Sequence, residues 1–479
     1  MNKIINKKKY FLFYDYETFG TNFNLDKPSQ FSCVRTDQNF NIIKKYNTYY
    51  CFPPNDYLPN IDAILLNKIT PQITFKKGIN EFYFSKKIYS IFNKKNTCIL
   101  GFNNIQFDDE FTRNIFYRNL LDPYSWSYRN NNSKWDVLNL VRACFVLRPE
   151  GIVWPIDKFG FVSLKLENLA HCNKINDFIA HDSLSDVFAT IKIANLISLK
   201  QPKLFNFFFK NRLKNNIINF INYYKNFPIL YISSFFGKKN NYFSVIKIIF
   251  QHPNESNIWI AFDLSYDIKN FLSKIKKINF EQDDIKTLLS YGLVLLYINK
   301  CPILSPINVL RKQDLIRLNI NIDLYLYYNS CLNNYLFFLK NILKNYFSDY
   351  IFKKKNINSH VDSQIYENFF NFSDLKKAKI IHTLNPKYFS SIKPKFLDSR
   401  MEKLFFNIRA RNFFNTLTLQ EKNIWIDNLK CIFNKKYILN YYKKYLLLKK
   451  KNLLNKKNMK ILHFIYLYFC KTIKYTLNF

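Results

Sequence analysis

The sequence predicts an α/β domain of about 200 residues, followed by a smaller mixed domain and a helical domain. Three observations support this fold class. An apolar, aromatic run at Phe11–Tyr14 is typical of a strand, and later strand-like runs alternate with segments of helical periodicity. After Gln201 the composition changes to Phe, Asn, Lys and Tyr with strand-like pieces, whereas the segments beyond residue 358 are periodic and poor in strands. A chain of 479 residues is also too long for one core, so we expect domains at 1–201, 202–355 and 358–479.

The first predicted strand ends in two acidic residues. Asp15 and Glu17 follow Phe11–Tyr14 and precede Gly20. Because strand side chains alternate with a period of two, both carboxylates project from the same face and can share a cation. Adjacent carboxylates in a partly desolvated site repel each other unless protons or a metal neutralise them, and hard oxygen ligands suit Mg²⁺ or Mn²⁺. Taken alone, the pair also fits ordinary surface carboxylates.

The rest of the first domain supplies a third acid near a strand end. Strands are expected at 31–36, 42–52 and 97–103, and a helix at 80–93. The helix that opens at Phe107 and runs to Arg118 carries acids in its favoured first turn. Asp108 stands at this strand-to-helix junction, so it can lean over the sheet edge towards Asp15 and Glu17.

A fourth acid comes from the last helix of this domain. Helices are expected at 135–145, 164–172 and about 182–199, and Asp182 or Ser183 can cap the last of them. His181 lies just outside this helix and Asp186 in its early turns, so both can face one site. Farther along, the sequence predicts strands at 257–264 and 292–298, a charged linker at 353–359, and helical segments at 398–411 and 429–449.

The charge balance favours a nucleic-acid partner. The chain has 72 Lys and Arg against 34 Asp and Glu, a formal net charge of +38. The excess of Lys, Asn, Ile, Phe and Tyr is also typical of an AT-rich genome, so compositional drift is a second explanation. An anionic membrane surface fits less well, because no basic amphipathic helix stands out.

The remaining composition predicts a cytoplasmic protein with reduced thiols. No apolar run reaches the length of a membrane span, and no signal-peptide core precedes Asp15. Nine cysteines are scattered without a Cys-x-x-Cys pair, which argues against a disulfide framework and a zinc site.

The sequence contains the set of side chains that two-metal phosphoryl chemistry requires. The set consists of four acids, Asp15, Glu17, Asp108 and Asp186, and one histidine, His181. One cation lowers the pKa of a bound water, and the second stabilises the departing 3′-oxygen. A neutral imidazole can take the proton of that water, because its usual pKa lies near working pH. A lone histidine is more often structural, but the three upstream acids and an aspartate five residues later favour a catalytic role for His181.

Longer motifs accompany these five residues. They are FYDYETFGT (13–21), DYLP (56–59), ILGFNN (99–104), FDDE (107–110), TRNIFYRN (112–119), RPEGI (148–152), INKCP (298–302), EKLFFN (402–407) and RARNF (409–413). Together they resemble the bacterial exodeoxyribonuclease I family of DEDDh exonucleases, from the first strand to about residue 415. The resemblance implies an RNase H-like nuclease domain, an SH3-like domain and a helical C-terminal domain in a C-shaped monomer.

The resemblance also implies an activity and partners. The expected enzyme degrades single-stranded DNA from 3′ to 5′ into 5′-mononucleotides with two Mg²⁺ ions per site, for which Mn²⁺ is a substitute, in DNA repair and recombination. It is expected to dock on the acidic C-terminal tail of single-stranded DNA-binding protein, with Arg148 as one contact.

By matching position, the resemblance assigns roles to residues of this chain. Asp15, Glu17 and Asp186 would hold the water-activating metal, Asp15 and Asp108 the second, and His181 would be the general base. Glu17 would also touch the terminal 3′-hydroxyl, and Lys165 stands where the family usually has Arg, which removes bidentate phosphate geometry. The remaining expected DNA contacts are Arg113, Tyr124, Tyr128, Arg142, Asn257, Lys300, Arg311 and Tyr366, although aromatic residues are 19% of the chain and single tyrosines are often core residues.

Two alternatives stay open at this level. One is a non-catalytic DNA-binding or scaffold protein that keeps the fold and has lost the chemistry, although all five catalytic positions are intact. The other is a related DEDDh ribonuclease or proofreading subunit, which a comparison of DNA and RNA substrates would separate.

Overall fold

The structure is a computed structural model that describes residues 9–175, 182–275, 285–349 and 360–477. Its strands are β1 Tyr10–Thr18, β2 Pro28–Thr36, β3 Ile42–Lys45, β4 Tyr49–Tyr50, β5 Thr97–Gly101, β6 Ser133–Asp136, β7 Ile229–Ile232, β8 Phe243–Gln251, β9 Ile258–Asp263, β10 Leu293–Tyr297 and β11 Ile303–Pro306. Its α-helices are α1 Ile61–Asn67, α2 Pro71–Lys77, α3 Glu81–Phe92, α4 Asp108–Arg118, α5 Val137–Leu147, α6 Leu166–Cys172, α7 Ser183–Lys200, α8 Pro202–Asn211, α9 Lys214–Tyr224, α10 Ile268–Ile275, α11 Ile285–Ser290, α12 Lys312–Leu318, α13 Ile322–Asp349, α14 Phe372–Thr383, α15 Ser399–Asn412, α16 Leu419–Ile432, α17 Lys435–Lys451 and α18 Lys456–Leu477.

The chain forms two compact units. The first unit contains residues 1–133, 179–188 and 355–479, and the second contains residues 134–178 and 189–354. The first unit therefore contains both the first strands of the chain and its C-terminal helices.

The sheet of the first unit is built around β1. β1 pairs antiparallel with β2 and parallel with β5, and both β3 and β4 pair antiparallel with β2. Leu12, Tyr14 and Tyr16 face a core that includes residues of α3 and α4, and each is at most 4% exposed. Because β1 alternates, Asp15 and Glu17 lie on the opposite face of the sheet. The apolar half of the strand thus fixes which way the two carboxylates point.

Two sequence-based boundaries in this region are wrong. The strand expected at 42–52 is split into β3 and β4, because the register against β2 shifts by one residue between them: Lys45 pairs with Val34, whereas Tyr49 pairs with Phe31. The helix expected from residue 135 begins at Val137 instead. Asp136 caps it by accepting a hydrogen bond from the Leu138 N–H at 2.9 Å, so the two preceding residues are free to form a strand.

The C-terminal helices share a core with α3 and α4. Phe82 of α3 and Tyr117 of α4 are buried with apolar residues of α14 and α15, such as Ile381 and Leu404. A buried ion network supports this contact: Arg411 lies 2.7 Å from Asp56 and 2.8 Å from Asp362. Burial opposes ionisation of Asp362, but Arg411 and Lys27 outweigh it and hold the pKa of that carboxyl well below its usual range.

The second unit contains an antiparallel five-stranded sheet in the order β10-β9-β8-β7-β11. The strands expected at 257–264 and 292–298 are confirmed as β9 and β10, which pair with each other. Ile217 and Ile221 of α9 join the buried residues of this sheet. The linker expected at 353–359 lies outside the described residues.

Two expectations from composition are also checked by the structure. None of the nine cysteines, all of which belong to the described part of the chain, forms a disulfide. Within the described ranges, no helix combines the length and apolar character needed to cross a membrane.

Candidate active site

Three predicted metal ligands come together in the first unit. Asp15, Glu17 and Asp186 each offer a carboxylate oxygen, and these oxygens all lie within 4.8 Å of one another. Asp15 and Glu17 come from β1, and Asp186 comes from the first turns of α7. Residues that are about 170 positions apart in the sequence therefore converge on one face of the sheet.

The start of α7 is capped by Asp182. Its Oδ2 accepts a hydrogen bond from the Ser185 N–H at 3.2 Å, and its carbonyl accepts from the Asp186 N–H at 3.0 Å. This cap agrees with the sequence-based expectation that Asp182 or Ser183 begins the helix. It places Asp186 in the first full turn of α7.

Asp108 stands outside the three-carboxylate group but beside Asp15. It is the first residue of α4, it is 3% exposed, and its Oδ1 accepts from the Tyr16 N–H at 3.2 Å. Among the neighbouring charges, that of Asp108 has the largest effect in raising the pKa of Asp15. Asp15 therefore interacts electrostatically with Asp108 as well as with Glu17 and Asp186.

The buried environment of these carboxylates opposes their ionisation. Burial, and then the charges of Asp108, Asp186 and Glu17, raise the pKa of Asp15 well above its usual value. Burial and the charge of Asp186 raise the pKa of Glu17 to about 8, against the opposing effect of a hydrogen bond with Asn67. Carboxylates that repel one another in this way form a donor set that fits divalent cations, because the cations would offset the repulsion.

A second set of polar contacts holds α4 against β1. The Tyr14 hydroxyl donates to Asp109 Oδ1 at 2.6 Å, and Asn104 Nδ2 donates to the same oxygen at 3.0 Å. Gly101 is required at the end of β5, because a Cβ there would lie 2.7 Å from the Tyr14 carbonyl oxygen. These contacts fix the position of the first turn of α4, which carries Asp108.

Three of the expected DNA contacts meet on one side of α4. Arg113 pairs with Glu110, and its guanidinium lies 6.0 Å from the centre of the Tyr124 ring. The Tyr366 hydroxyl donates to the other oxygen of Glu110. Tyr366 remains 58% exposed, so its ring is accessible to a base.

Tyr128 lies outside this cluster and is 60% exposed. Glu110, which organises the cluster, was not singled out from the sequence.

The other expected DNA contacts lie in the second unit, and they differ in how strongly neighbouring protein groups already engage them. Lys165 is exposed and lies 3.8 Å from Glu167, and Lys300 is exposed beside the Tyr297 ring. Asn257 accepts from Lys214 Nζ at 2.6 Å. Arg142 and Arg311 are engaged by neighbouring protein groups.

Arg142 is buried and donates to Asn139 at 2.6 Å. Arg311 pairs with Asp314 at 2.8 Å and with Glu150 at 2.6 Å, which gives it a capping role at α12. The ion pair with Glu150 cannot be inferred from sequence pattern, since the two residues are 161 positions apart.

His181 lies outside the described residues. The structure does describe two side chains near Glu17 and Asp186 that the sequence reasoning missed. Asn67 donates from Nδ2 to Thr18 O at 3.0 Å, and Gln30 contacts Asp182 from β2. An amide in a strand or at a helix end gives no signal from sequence pattern alone.

Comparisons with known proteins agree with this arrangement of strands, helices and acids. The profile of the Exonuclease family matches residues 12–194, the Exonuclease I SH3-like domain matches 212–349, and the Exonuclease I C-terminal domain matches 359–472. Exodeoxyribonuclease I of Escherichia coli (strain K12) is 39% identical over 439 residues, which cover 90% of this chain and 91% of that protein. The chain belongs to the exodeoxyribonuclease I family.

Other members of the exodeoxyribonuclease I family are similar to this chain over comparable lengths. Exodeoxyribonuclease I of Buchnera aphidicola subsp. Schizaphis graminum is 48% identical over 93% of this chain and 92% of its own length. Crystallised E. coli Exonuclease I in complex with a dA16 oligonucleotide superposes with a TM-score of 0.91 at 37% identity, covering 97% of this chain and all of that chain. The apo form of Exonuclease I gives a TM-score of 0.88 at 37% identity and covers 98% of this chain.

Membership of this family confirms the resemblance that the sequence motifs indicate. It also confirms the expected order of nuclease, SH3-like and C-terminal domains and the expected exodeoxyribonuclease activity. One solved relative is described as a zinc ion-bound complex of E. coli ExoI with ssDNA, and another as SSB/Exonuclease I in complex with an inhibitor. A divalent metal therefore belongs to the chemistry of this family, in agreement with the acidic cluster of this chain.

Proposed function

We propose that this exodeoxyribonuclease removes 5′-mononucleotides from the 3′ end of single-stranded DNA with two Mg²⁺ ions. The observation that carries the proposal is the convergence of Asp15, Glu17 and Asp186 within 4.8 Å, with Asp108 next to Asp15. Solved complexes of E. coli Exonuclease I with dA16 and dT13 oligonucleotides support single-stranded DNA as the substrate.

In this proposal each acid has a defined role. Asp15, Glu17 and Asp186 would hold the cation that activates water, and Asp15 with Asp108 would hold the second cation. When bound, the two ions lower the pKa of the attacking water and stabilise the departing 3′-oxygen. Glu17 also contacts the terminal 3′-hydroxyl. Raised carboxylate pKa values in the metal-free state support the same assignment, because such groups gain most from a bound cation.

His181 is the proposed general base, from its place in the sequence five residues before Asp186. As a neutral imidazole it accepts the proton of the attacking water, and its usual pKa suits a working pH near neutrality. Its replacement by Asn should lower kcat by about 100-fold or more while binding of DNA is retained.

The DNA strand is proposed to follow aromatic and basic side chains away from the acids. The cluster of Arg113, Tyr124 and Tyr366 beside α4 offers rings for base stacking and a guanidinium for a phosphate. Tyr128, Lys165, Asn257 and Lys300 are further proposed contacts, and Arg142 and Arg311 are weaker ones because protein groups already engage them. Stacking tolerates any base, so we propose digestion with little sequence preference.

We also propose a cytoplasmic monomer with domains at 1–201, 202–355 and 358–479. The three family matches, at 12–194, 212–349 and 359–472, each fall inside one of these domains. The activity is proposed to serve DNA repair and recombination.

A docking site for the tail of single-stranded DNA-binding protein is proposed in the second unit. A cavity of about 520 Å³ there is open to solvent and has a mostly apolar wall. It is lined by Leu147, Arg148, Gln201, Pro202, Lys203, Leu204, Phe207, Phe208, Ser305, Pro306 and Val309. Arg148 and Lys203 at an apolar cavity suit a peptide that combines an acidic stretch with apolar side chains.

The substrate proposal is tested by digesting matched oligonucleotides with the full chain. We expect 5′-labelled single-stranded DNA to shorten from its 3′ end and to release 5′-mononucleotides, and we expect EDTA to stop the reaction. Preference for RNA of the same sequence would favour a ribonuclease of the wider family instead. For the docking site, Arg148→Ala should weaken binding of the acidic tail peptide, measured by fluorescence anisotropy, and leave DNA digestion unchanged.

A further inference from the structure

Two residues of β2 connect the strand that carries Asp15 and Glu17 to the helix that carries Asp186. In the register of β1 and β2, Ser32 lies opposite Asp15 and Gln30 lies opposite Glu17. Directly opposed residues of antiparallel strands point to the same face of a sheet, so these side chains share the face of the acids. Ser32 is 0% exposed and Gln30 is 2% exposed, so water does not compete for the hydrogen bonds of either side chain.

Gln30 binds the first residues of α7 with both ends of its amide. Its Nε2 donates to Asp182 Oδ1 at 3.3 Å and to the Tyr50 hydroxyl at 3.0 Å. Its Oε1 accepts a hydrogen bond from the Ser183 N–H at 3.2 Å. The N–H groups of a first helical turn have no partner within the helix, so Gln30 satisfies one of them directly.

Ser32 provides the second connection to the same helix end. Ser183 Oγ donates to Ser32 Oγ at 2.7 Å, and Ser32 Oγ lies 2.9 Å from Thr48 Oγ1. Ser183 is 0% exposed. Loss of one member of such a buried set leaves another polar group unsatisfied, which makes the set a firm attachment.

The attachment bears on Asp186 through the geometry of the first turn. Asp182 and Ser183 begin that turn, and the Asp186 N–H donates to the carbonyl of Asp182 at 3.0 Å. A shift or rotation of the turn therefore moves the Asp186 carboxylate relative to Asp15 and Glu17. Asp182 is a further acid here, since its charge also raises the pKa of Glu17.

We propose that Gln30 is a positioning residue for the metal site and that Ser32 and Ser183 support it. This inference rests on the proposed function, because it concerns how Asp186 is held for a shared cation. The Gln30 amide keeps the start of α7 at a fixed place over β2 and gives the Asp182 carboxylate a donor. Polar groups behind metal ligands typically contribute about 10- to 100-fold in metal affinity or activity.

The test compares Gln30→Ala with Ser29→Ala in the full chain. Ser29 is the adjacent residue of β2 and is 0% exposed, and its hydroxyl has no hydrogen-bond partner among the residues that the structure describes, so it is a matched control. We expect Gln30→Ala to weaken calorimetrically measured Mn²⁺ binding by about 10- to 100-fold and Ser29→Ala to leave it unchanged. We also expect added metal to restore the rate of Gln30→Ala, with KM for single-stranded DNA unchanged. If Gln30→Ala lowered the rate through a general loss of packing instead, added metal would not restore the rate of that variant.

Ser183→Ala is a milder second variant, because it removes the hydroxyl contact and keeps the N–H bond to Gln30. It should weaken Mn²⁺ binding less than Gln30→Ala does, and it serves as the test if circular dichroism shows that Gln30→Ala is unfolded. The proposal would be overturned if the folded test variant, Gln30→Ala or Ser183→Ala, bound Mn²⁺ as tightly as Ser29→Ala does. A wild-type protein without metal-dependent DNA digestion would instead contradict the proposed function, so the two failures are distinguishable.

Discussion

Replacing Glu17 by Gln should stabilise the metal-free protein at alkaline pH and abolish its activity. Without metal, burial and then the charge of Asp186 raise the pKa of Glu17 from 4.5 to about 8. Between these two pH values the folded protein keeps a proton that the unfolded chain has released. The free energy of unfolding therefore falls as pH rises through this window.

The size of the effect follows from the two pKa values. Each pKa unit is worth about 1.36 kcal/mol, so the change from 4.5 to about 8 corresponds to about 5 kcal/mol of unfolding free energy. This contribution is fully present below pH 4.5 and is lost above about pH 8. Glutamine does not ionise, so the advantage of Glu17→Gln over the wild type should grow across the same window. Activity is lost because a metal ligand is lost.

The assay is urea unfolding in EDTA at about pH 5 and about pH 9, followed by tryptophan fluorescence. Glu402→Gln is the control, because Glu402 is an exposed glutamate of α15 and should give the wild-type pH dependence. The reasoning is refuted if Glu17→Gln and the wild type lose the same unfolding free energy between the two pH values. Such a result would mean that Glu17 is ionised in the metal-free site.

Three further predictions concern the scaffold and the DNA contacts. Arg411→Met should lower the unfolding free energy by about 3–5 kcal/mol in urea titrations, because it leaves the buried Asp56 and Asp362 carboxylates without their shared cation; a change below 1 kcal/mol would contradict this role. Gly101→Ala should cost about 1–3 kcal/mol by the same measurement and reduce activity, because its Cβ would press on the Tyr14 carbonyl 2.7 Å away, next to Asp15; wild-type stability would show that β5 adjusts freely. Lys165→Arg should tighten single-stranded DNA binding in anisotropy titrations, because a guanidinium can bind a phosphate with two hydrogen bonds; unchanged affinity would remove Lys165 from the proposed path.

The position of the acids could be predicted from sequence because local rules determine it. Strand alternation places Asp15 and Glu17 on one face, and the acidic first turn of α4 brings Asp108 to the sheet. Asp182, one of the two caps expected for α7, puts Asp186 in the first full turn. The family motifs then joined these separate segments into one site.

The supporting contacts depend on pairings that sequence pattern does not specify. Gln30 lies opposite Glu17 because the β1–β2 register runs without a shift from Phe11 to Glu17 and changes only after that residue. A strand register is set by the whole sheet, and a shift of one residue would turn Gln30 to the other face. The ion pair between Arg311 and Glu150 depends likewise on tertiary structure, so neither sequence pattern nor the family resemblance indicates it.

The most direct measurement is digestion of 5′-labelled single-stranded DNA by Asp186→Asn. The wild type and the control Asp427→Asn, which changes an exposed aspartate of α16, should shorten the DNA from its 3′ end in the presence of Mg²⁺. Asp186→Asn should lose this activity together with calorimetric metal binding. Digestion by Asp186→Asn at the wild-type rate would contradict the shared metal site on which the account depends.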